Sequence, residues 1–536
     1  MNTGARTNSA GAERPVGISS LDVERQPHDE AAWVERYKKR PDMTWRDHLL
    51  MLLSFGATVE HCLMVQYLYA AYSLRTDIAD KRRRKLVESW RAGILAVAKE
   101  EMGHLLTVQN LRRLLGSTVE IGRDSSPWAQ EYYPYPFSLE PFSLISLSCF
   151  VYAEMPELKA LESDFPKHQR DVIEDEILPR LRRHFGSSFQ ANVHRVGKLY
   201  EEIIDLISNE RRIPDSMFDE SSYEFQASWD EWGRGYKSPP RQLDAQGSPQ
   251  GEAPGPGHNP IVQIDRMATR ADAVKALQAL ATQGEAPHLR EPELPDSADE
   301  ISHFKRFLDI YDQFKRERDR DRGWSPAAGV PSNPSAREDL FGVVAAPTGR
   351  VQPPASRGGT QADDIRYTPI TGTSARHLAQ IFNQRYRLLL NYLAHSFRIS
   401  RSERVDRPNL RAMIMHRVFG EMYNLKTISG LLVRLPRNDN GKDEERAAPP
   451  FELPYSLGLP DRDVDMWRRH ENLLASSQQM CKRLLADASP STSKHPNAAK
   501  VQQELAGTGA DVYLRTLFQL DGQAREWMNK IIAGEA

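Results

Sequence analysis

The chain has 536 residues, enough for two or three domains. Lys and Arg number 71 and Asp and Glu 73, so the net charge of −2 gives no electrostatic reason to expect nucleic acid or an anionic membrane as a partner. The three cysteines, Cys62, Cys149 and Cys481, are far apart and form no CxxC pair, which excludes a disulfide framework and points to a reducing, cytoplasmic setting.

In chain order, residues 1–40 read as a disordered tail, because residues 1–26 are rich in Gly, Ser, Ala and Arg and have no apolar signal-peptide core. Helical periodicity dominates thereafter, with no convincing series of strands. A first helix is expected over about 44–74 and a second over 83–115, its basic start (residues 81–85) solvated. No apolar run is free enough of polar residues to read as a membrane span; Glu60, His61 and Gln66 interrupt the first helix. An aromatic and proline-rich loop, about 126–137, precedes a third helix that starts near Pro141 and ends near Pro156. A further helix spans about 187–209. Residues 233–260 are rich in Gly, Pro, Gln and Ser and read as a surface excursion. Helices follow near 271–282 and from about 297 through 314. Residues 323–364 look like a linker, and 365–536 like a C-terminal helical domain with segments near 375–395, 410–433, 463–486 and 510–532. The first globular region is thus an all-α bundle over 41–322, with a long insertion at 157–295.

Two segments carry Glu-x-x-His, Glu101 to His104 and Glu300 to His303. On a helix, residues three apart are separated by about 60° around the axis, so such a pair can aim at one metal ion. Two such pairs, joined by one Glu from each of two more helices, form the di-metal carboxylate pattern of four-helix bundles. Face analysis supplies the other two. Glu60 is centred among Leu53, Gly56, Ala57, Leu63, Met64 and Tyr67, and Glu154 shares a face with Leu147, Phe150 and Val151. A carboxylate on an apolar face is costly to bury unless it is paired or binds metal. Glu201 and Glu202 rank below Glu154, because both are turned by roughly 100° or more from the apolar face of their helix. The expected metal ligands are Glu60, Glu101, His104, Glu154, Glu300 and His303. Glu300 has a competing reading as a capping-box residue, in Ser297-Ala-Asp-Glu300, and His303 one as a core histidine. His61 and His194 read as ordinary helix or surface residues, and Tyr67, Tyr69 and Tyr72 as core packing.

These residues carry a family resemblance. Residues 60–73 (EHCLMVQYLYAAYS), 98–104 (AKEEMGH), 150–157 (FVYAEMPE), 196–203 (VGKLYEEI), 283–285 (QGE) and 300–307 (EISHFKRF) resemble the ferritin-like domain associated with iminophenylpyruvate dimer synthases, enzymes of violacein and indolocarbazole biosynthesis. Residues 449–454 (PPFELP) are similar to a segment that follows this domain in longer relatives. Val65 stands where the family usually has Pro, and Ala286 where it usually has Gly. The resemblance implies a ferritin-like fold and an iron-type centre.

The expected function is therefore that of a non-haem di-metal oxidoreductase, holding two iron or manganese ions, with a small organic molecule and O₂ as partners, in specialised metabolism. Glu101 and Glu300 would bridge, Glu60 and Glu154 would bridge or bind one metal, each His would serve one metal, and Glu285 would support them from behind. Two other readings stay open: metal or peroxide handling without substrate turnover, and a helical scaffold with a structural metal. A homo-oligomer is among the expected partners.

Overall fold

A computed structural model describes residues 42–123, 135–156, 166–186, 189, 196–236, 242–243, 249–250, 262–284, 302–337, 367–401, 409–439, 445–453, 458–491, 493 and 495–534. The expected tail, Glu285, Glu300, His194, most of the aromatic loop and most of the 323–364 linker lie outside the described residues. The helices are α1 (Trp45–Ser73), α2 (Lys81–Leu114), α3 (Leu144–Glu154), α4 (Lys167–Asp171), α5 (Leu178–Phe185), α6 (Val196–Ser208), α7 (Trp229–Tyr236), α8 (Arg270–Gly284), α9 (His303–Arg320), α10 (Thr373–Ser396), α11 (Leu410–Leu432), α12 (Asp463–Asp487), α13 (Ala498–Thr508) and α14 (Ala510–Ala533). A six-residue π-helical stretch, Val172–Ile177, joins α4 to α5. The described strands are two residues long each.

Three helix pairs build the first half. Helices α1 and α2 pack along their lengths across a short loop and therefore run antiparallel. The last residue of α3, Glu154, meets the first residue of α9, His303, while Phe142 before α3 packs on Phe314 near the end of α9, so this pair is antiparallel too. Helix α6 lies against α8, where Arg270 at the start of α8 donates to the carbonyl of Ile207 near the end of α6. Helix α1 is apolar on nearly all sides, and by length and composition alone it could cross a membrane. Most of it is buried against α2, α6 and α11, as expected of a central bundle helix.

The starts of two helices differ from expectation. Helix α3 begins at Leu144 because Ser143 and Ser146 form a reciprocal capping box, so the chain turns helical three residues after Pro141. Helix α9 begins at His303. Ser302 caps it by accepting from the Lys305 N–H, and its own backbone is non-helical (φ −58°, ψ 162°). The helical turn expected to run through Glu300 and His303 is therefore broken at Ser302. The basic start of α2 is not simply solvated. Arg82 makes a two-pronged contact with the buried Glu317 of α9 (2.7 and 2.6 Å), and Arg83 bonds Asp321 at 3.0 Å. This fastens the start of α2 to the end of α9. At the same end, Trp90 stacks on Phe142 with 5.6 Å between ring centres.

The C-terminal helices α10, α11, α12 and α14 surround Arg385. Its guanidinium bonds Glu421 of α11 and Asp521 of α14 (2.7 Å), and reaches Ser477 of α12 at 3.3 Å. These helices join the first half through Tyr386, whose hydroxyl pairs with Nε2 of His61 on α1 and accepts from Arg123 at 2.9 Å. His61 is thus a buried contact between the two halves. Burial, then the cation of Arg123, hold its imidazole down at about 3, so it stays neutral. Arg385→Ala would strand the carboxylates of Glu421 and Asp521 in the interior. We expect a loss of about 3–5 kcal/mol in unfolding free energy, read by chemical denaturation.

Candidate metal centre

Five of the six expected ligands converge inside the first half, carried by four helices. Glu60 comes from the middle of α1, Glu101 and His104 from one face of α2, Glu154 from the end of α3 and His303 from the start of α9. All five are at most 4% exposed. Donor atoms of Glu60, Glu101 and His104 lie within 4.8 Å of one another, and so do those of Glu101, Glu154 and His303. The two clusters share Glu101. Its Oε2 lies 3.0 Å from His104 Nδ1 and its Oε1 lies 2.9 Å from His303 Nδ1. Glu60 Oε2 is 3.5 Å from His104 Nδ1, and Glu154 Oε2 is 3.7 Å from His303 Nδ1.

The orientation of these atoms separates a metal site from a hydrogen-bond network. Glu60 Oε2, Glu101 Oε1 and His303 Nδ1 are all buried, and none has a hydrogen-bond partner. Glu101 Oε1 and His303 Nδ1 are close enough to bond but are not aligned to do so. Buried polar atoms left this way are costly. A cation between them would satisfy all three, and the set of carboxylate and imidazole donors suits a divalent transition metal.

The outward atoms of the same side chains are held. The Tyr200 hydroxyl of α6 donates to Glu60 Oε1, and the Tyr67 hydroxyl of α1 donates to Glu154 Oε1. His104 Nε2 faces Gln283 Oε1 of α8 at 2.9 Å. His303 Nε2 faces Glu100 Oε2 at 3.0 Å, and Arg306 donates to that same oxygen at 2.8 Å. The two imidazole rings lie 5.4 Å apart, 25° from parallel.

Glu100, Gln283, Tyr67 and Tyr200 are the supporting residues that sequence reasoning passed over or read as packing. The one signal for Glu100 was a second carboxylate beside Glu101, at about 100° around the helix, which faces α9. Tyr200 sits on the apolar face of α6, whereas Glu201 of the same helix pairs with Lys198 at 2.9 Å. The supporting role expected of Glu285 falls outside the described residues, as does Glu300.

Electrostatics follow from three carboxylates and two imidazoles sharing one dry space. Burial, then Glu101, push Glu60 up to about 8. Burial and Glu154 also push Glu101 up, but the two imidazoles outweigh them and hold it below the ordinary range. Burial opposes charge on His104, yet Glu101 and Glu60 bring it up to about 10. His303 is likewise opposed by burial and raised well above its ordinary value by Glu101, Glu100 and Glu154. Burial, then the neighbouring carboxylates, raise both tyrosine hydroxyls, which keeps them as donors. Without metal, protons on Glu60, His104 and His303 supply the missing positive charge at pH 7.

A small cavity of about 10 Å³ lies beside Glu60, Glu101, His104 and Glu154. Val196, Gly197 and Tyr200 of α6 and Leu280, Ala281 and Gly284 of α8 form its other wall. The backbone of 262–263 crosses α2 directly above the Glu-x-x-His turn. A Cβ at Gly103 would stand 2.8 Å from the Gln263 carbonyl oxygen, so position 103 favours glycine.

Two outcomes test this arrangement. Gly103→Ala should cost about 1–3 kcal/mol of stability through overpacking, measured by denaturant unfolding. Metal ligation needs the deprotonated forms, so binding divalent metal at pH 7 should expel about three protons, and affinity should rise with pH between 6 and 8. Calorimetric titration in two buffers of different ionisation enthalpy measures the count.

Comparison with known proteins agrees with the geometry. Residues 53–312 match the family model described as Ferritin-like. The chain is also 25% identical over 469 residues to dichlorochromopyrrolate synthase of Lentzea aerocolonigenes, a match covering 81% of this chain and 39% of that one. The chain thus spans well under half the length of that relative. No solved structure gave a significant match. The helical fold and the family match together make residues 53–312 a ferritin-like domain.

Proposed function

We propose that the protein is a non-haem di-metal oxidoreductase, of the iron type, that acts on a small organic molecule in specialised metabolism. The observation that carries this reading is Glu101, shared between two three-donor clusters whose inward atoms lack hydrogen-bond partners. The biosynthetic name of the relative supports the metabolic setting. Its reaction is not carried over, since the chain spans 39% of that protein.

In this reading Glu101 would be shared by the two ions, Glu60 and His104 would hold one of them, and Glu154 and His303 would hold the other. The metal pair, when bound, supplies a redox centre able to exchange electrons with O₂ and an adjacent organic molecule. The protein's own groups do the rest. Tyr200 and Tyr67 hold the outer oxygens of Glu60 and Glu154, which turns the inner oxygens toward the shared space. Helices α6 and α8 shield that space from bulk water, and Ala153, Ala281, Gly197 and Gly284 line the small cavity beside the carboxylates.

Metal analysis of the full-length protein, expressed with added iron, should find about two ions of iron or manganese per chain. Glu101→Ala should lose both and His104→Ala should keep about one; metal-free wild-type protein would sink the proposal. The reduced protein should then consume O₂ faster when aromatic or amino-acid-derived candidate substrates are present. Consumption that ignores every such substrate would mean metal handling without turnover.

A further inference from the structure

The two halves of the site repeat one plan. In each, a carboxylate oxygen accepts from a tyrosine hydroxyl, and a histidine turns Nδ1 inward and Nε2 outward onto an oxygen acceptor. The plan breaks at the outward acceptor. Behind His104 it is the neutral side-chain carbonyl of Gln283, at 2.9 Å. Behind His303 it is the carboxylate of Glu100, at 3.0 Å and fully buried.

We infer that the two metal subsites are unequal, and that the His303 subsite binds a divalent ion more tightly because Glu100, and not an amide, stands behind its imidazole. The inference rests on the metal-centre reading above. An N–H that donates to a carboxylate forms a charge-assisted bond, stronger than one to an amide oxygen. It draws the proton away from the ring and leaves Nδ1 a better donor to a cation. Arg306 bonds the same oxygen of Glu100 at 2.8 Å, which favours the charged carboxylate. The arginine side chain is 19% exposed, so solvent screens its charge more than that of the buried carboxylate. The two subsites also differ in what can move. Glu100 sits on the same rigid turn of α2 as the shared Glu101, whereas Gln283 is next to last in α8. Glu100 and Gln283 are thus positioning residues that act through the histidines.

Titration of the metal-free full chain with Mn(II) alone, with free Mn(II) followed by electron paramagnetic resonance, tests this. The wild type should bind two ions in phases at least tenfold apart. Glu100→Gln should weaken the tighter phase by about 10–100-fold and leave the weaker one in place. Gln283→Glu should tighten the weaker phase by about tenfold, bringing the two together. A merely structural role would shift both phases alike, and that result, or two equal phases in the wild type, overturns the inference. Fewer than two ions bound by the wild type overturns the metal-centre reading itself. Should Glu100→Gln fail to fold, Gln283→Glu decides alone: a tightened weaker phase supports the asymmetry, and an unchanged one refutes it.

Discussion

Burying the Glu101 carboxylate is the constraint around which the first half of the protein is arranged. The side chain is 1% exposed in the middle of an otherwise apolar helical face, and it has two more carboxylates for neighbours. Negative charge in such a place requires positive charge beside it. His104 and His303 stand on either side, one on each oxygen. In the absence of metal they serve by holding protons. Under the proposed function they would become ligands, and a cation would meet the same electrostatic demand. The donor geometry and the proton inventory are two views of one requirement.

The secondary contacts serve that requirement by removing freedom. A carboxylate with one oxygen held by a tyrosine hydroxyl cannot rotate its other oxygen away from the shared space. An imidazole fixed at Nε2 must present Nδ1. Tyr200 and Gln283, which hold Glu60 and His104, come from α6 and α8, outside the helices that carry the candidate ligands. The α6–α8 pair therefore does more than wall the pocket, since removing it would loosen one subsite before the other. Helices α6 and α8 are in this sense part of the centre.

The C-terminal helices reach the same region from the other side of α1. Tyr386 bonds His61, and His61 is the residue after Glu60. On a helix, neighbouring residues point about 100° apart, so Glu60 faces the centre while His61 faces α10. One turn of α1 thus carries both a candidate ligand and the contact between halves. The ion network of Arg385, Glu421 and Asp521 holds α10, α11 and α14 together behind this contact.

The helices themselves were legible in the residues, because apolar periodicity and caps are local properties of the chain. So was the convergence of Glu60, Glu101, His104, Glu154 and His303. A carboxylate on an apolar face of a long helix is unexplained by its own surroundings, and the Glu-x-x-His spacing says where a partner must lie. The start of α9 was misjudged because two serines, Ser297 and Ser302, offer caps of similar local quality, and packing of His303 against Glu154 and Glu101 favours the second. The choice of supporting partners was not readable at all. Tyr67 and Tyr200 look like ordinary apolar-face residues, and Glu100 and Gln283 like ordinary helix residues, until the partner 87 to 203 positions away is known. Sequence determined which side chains have to be compensated. Tertiary structure alone decided by what, because hydrogen bonds over such separations depend on how helices cross and not on any periodicity within them.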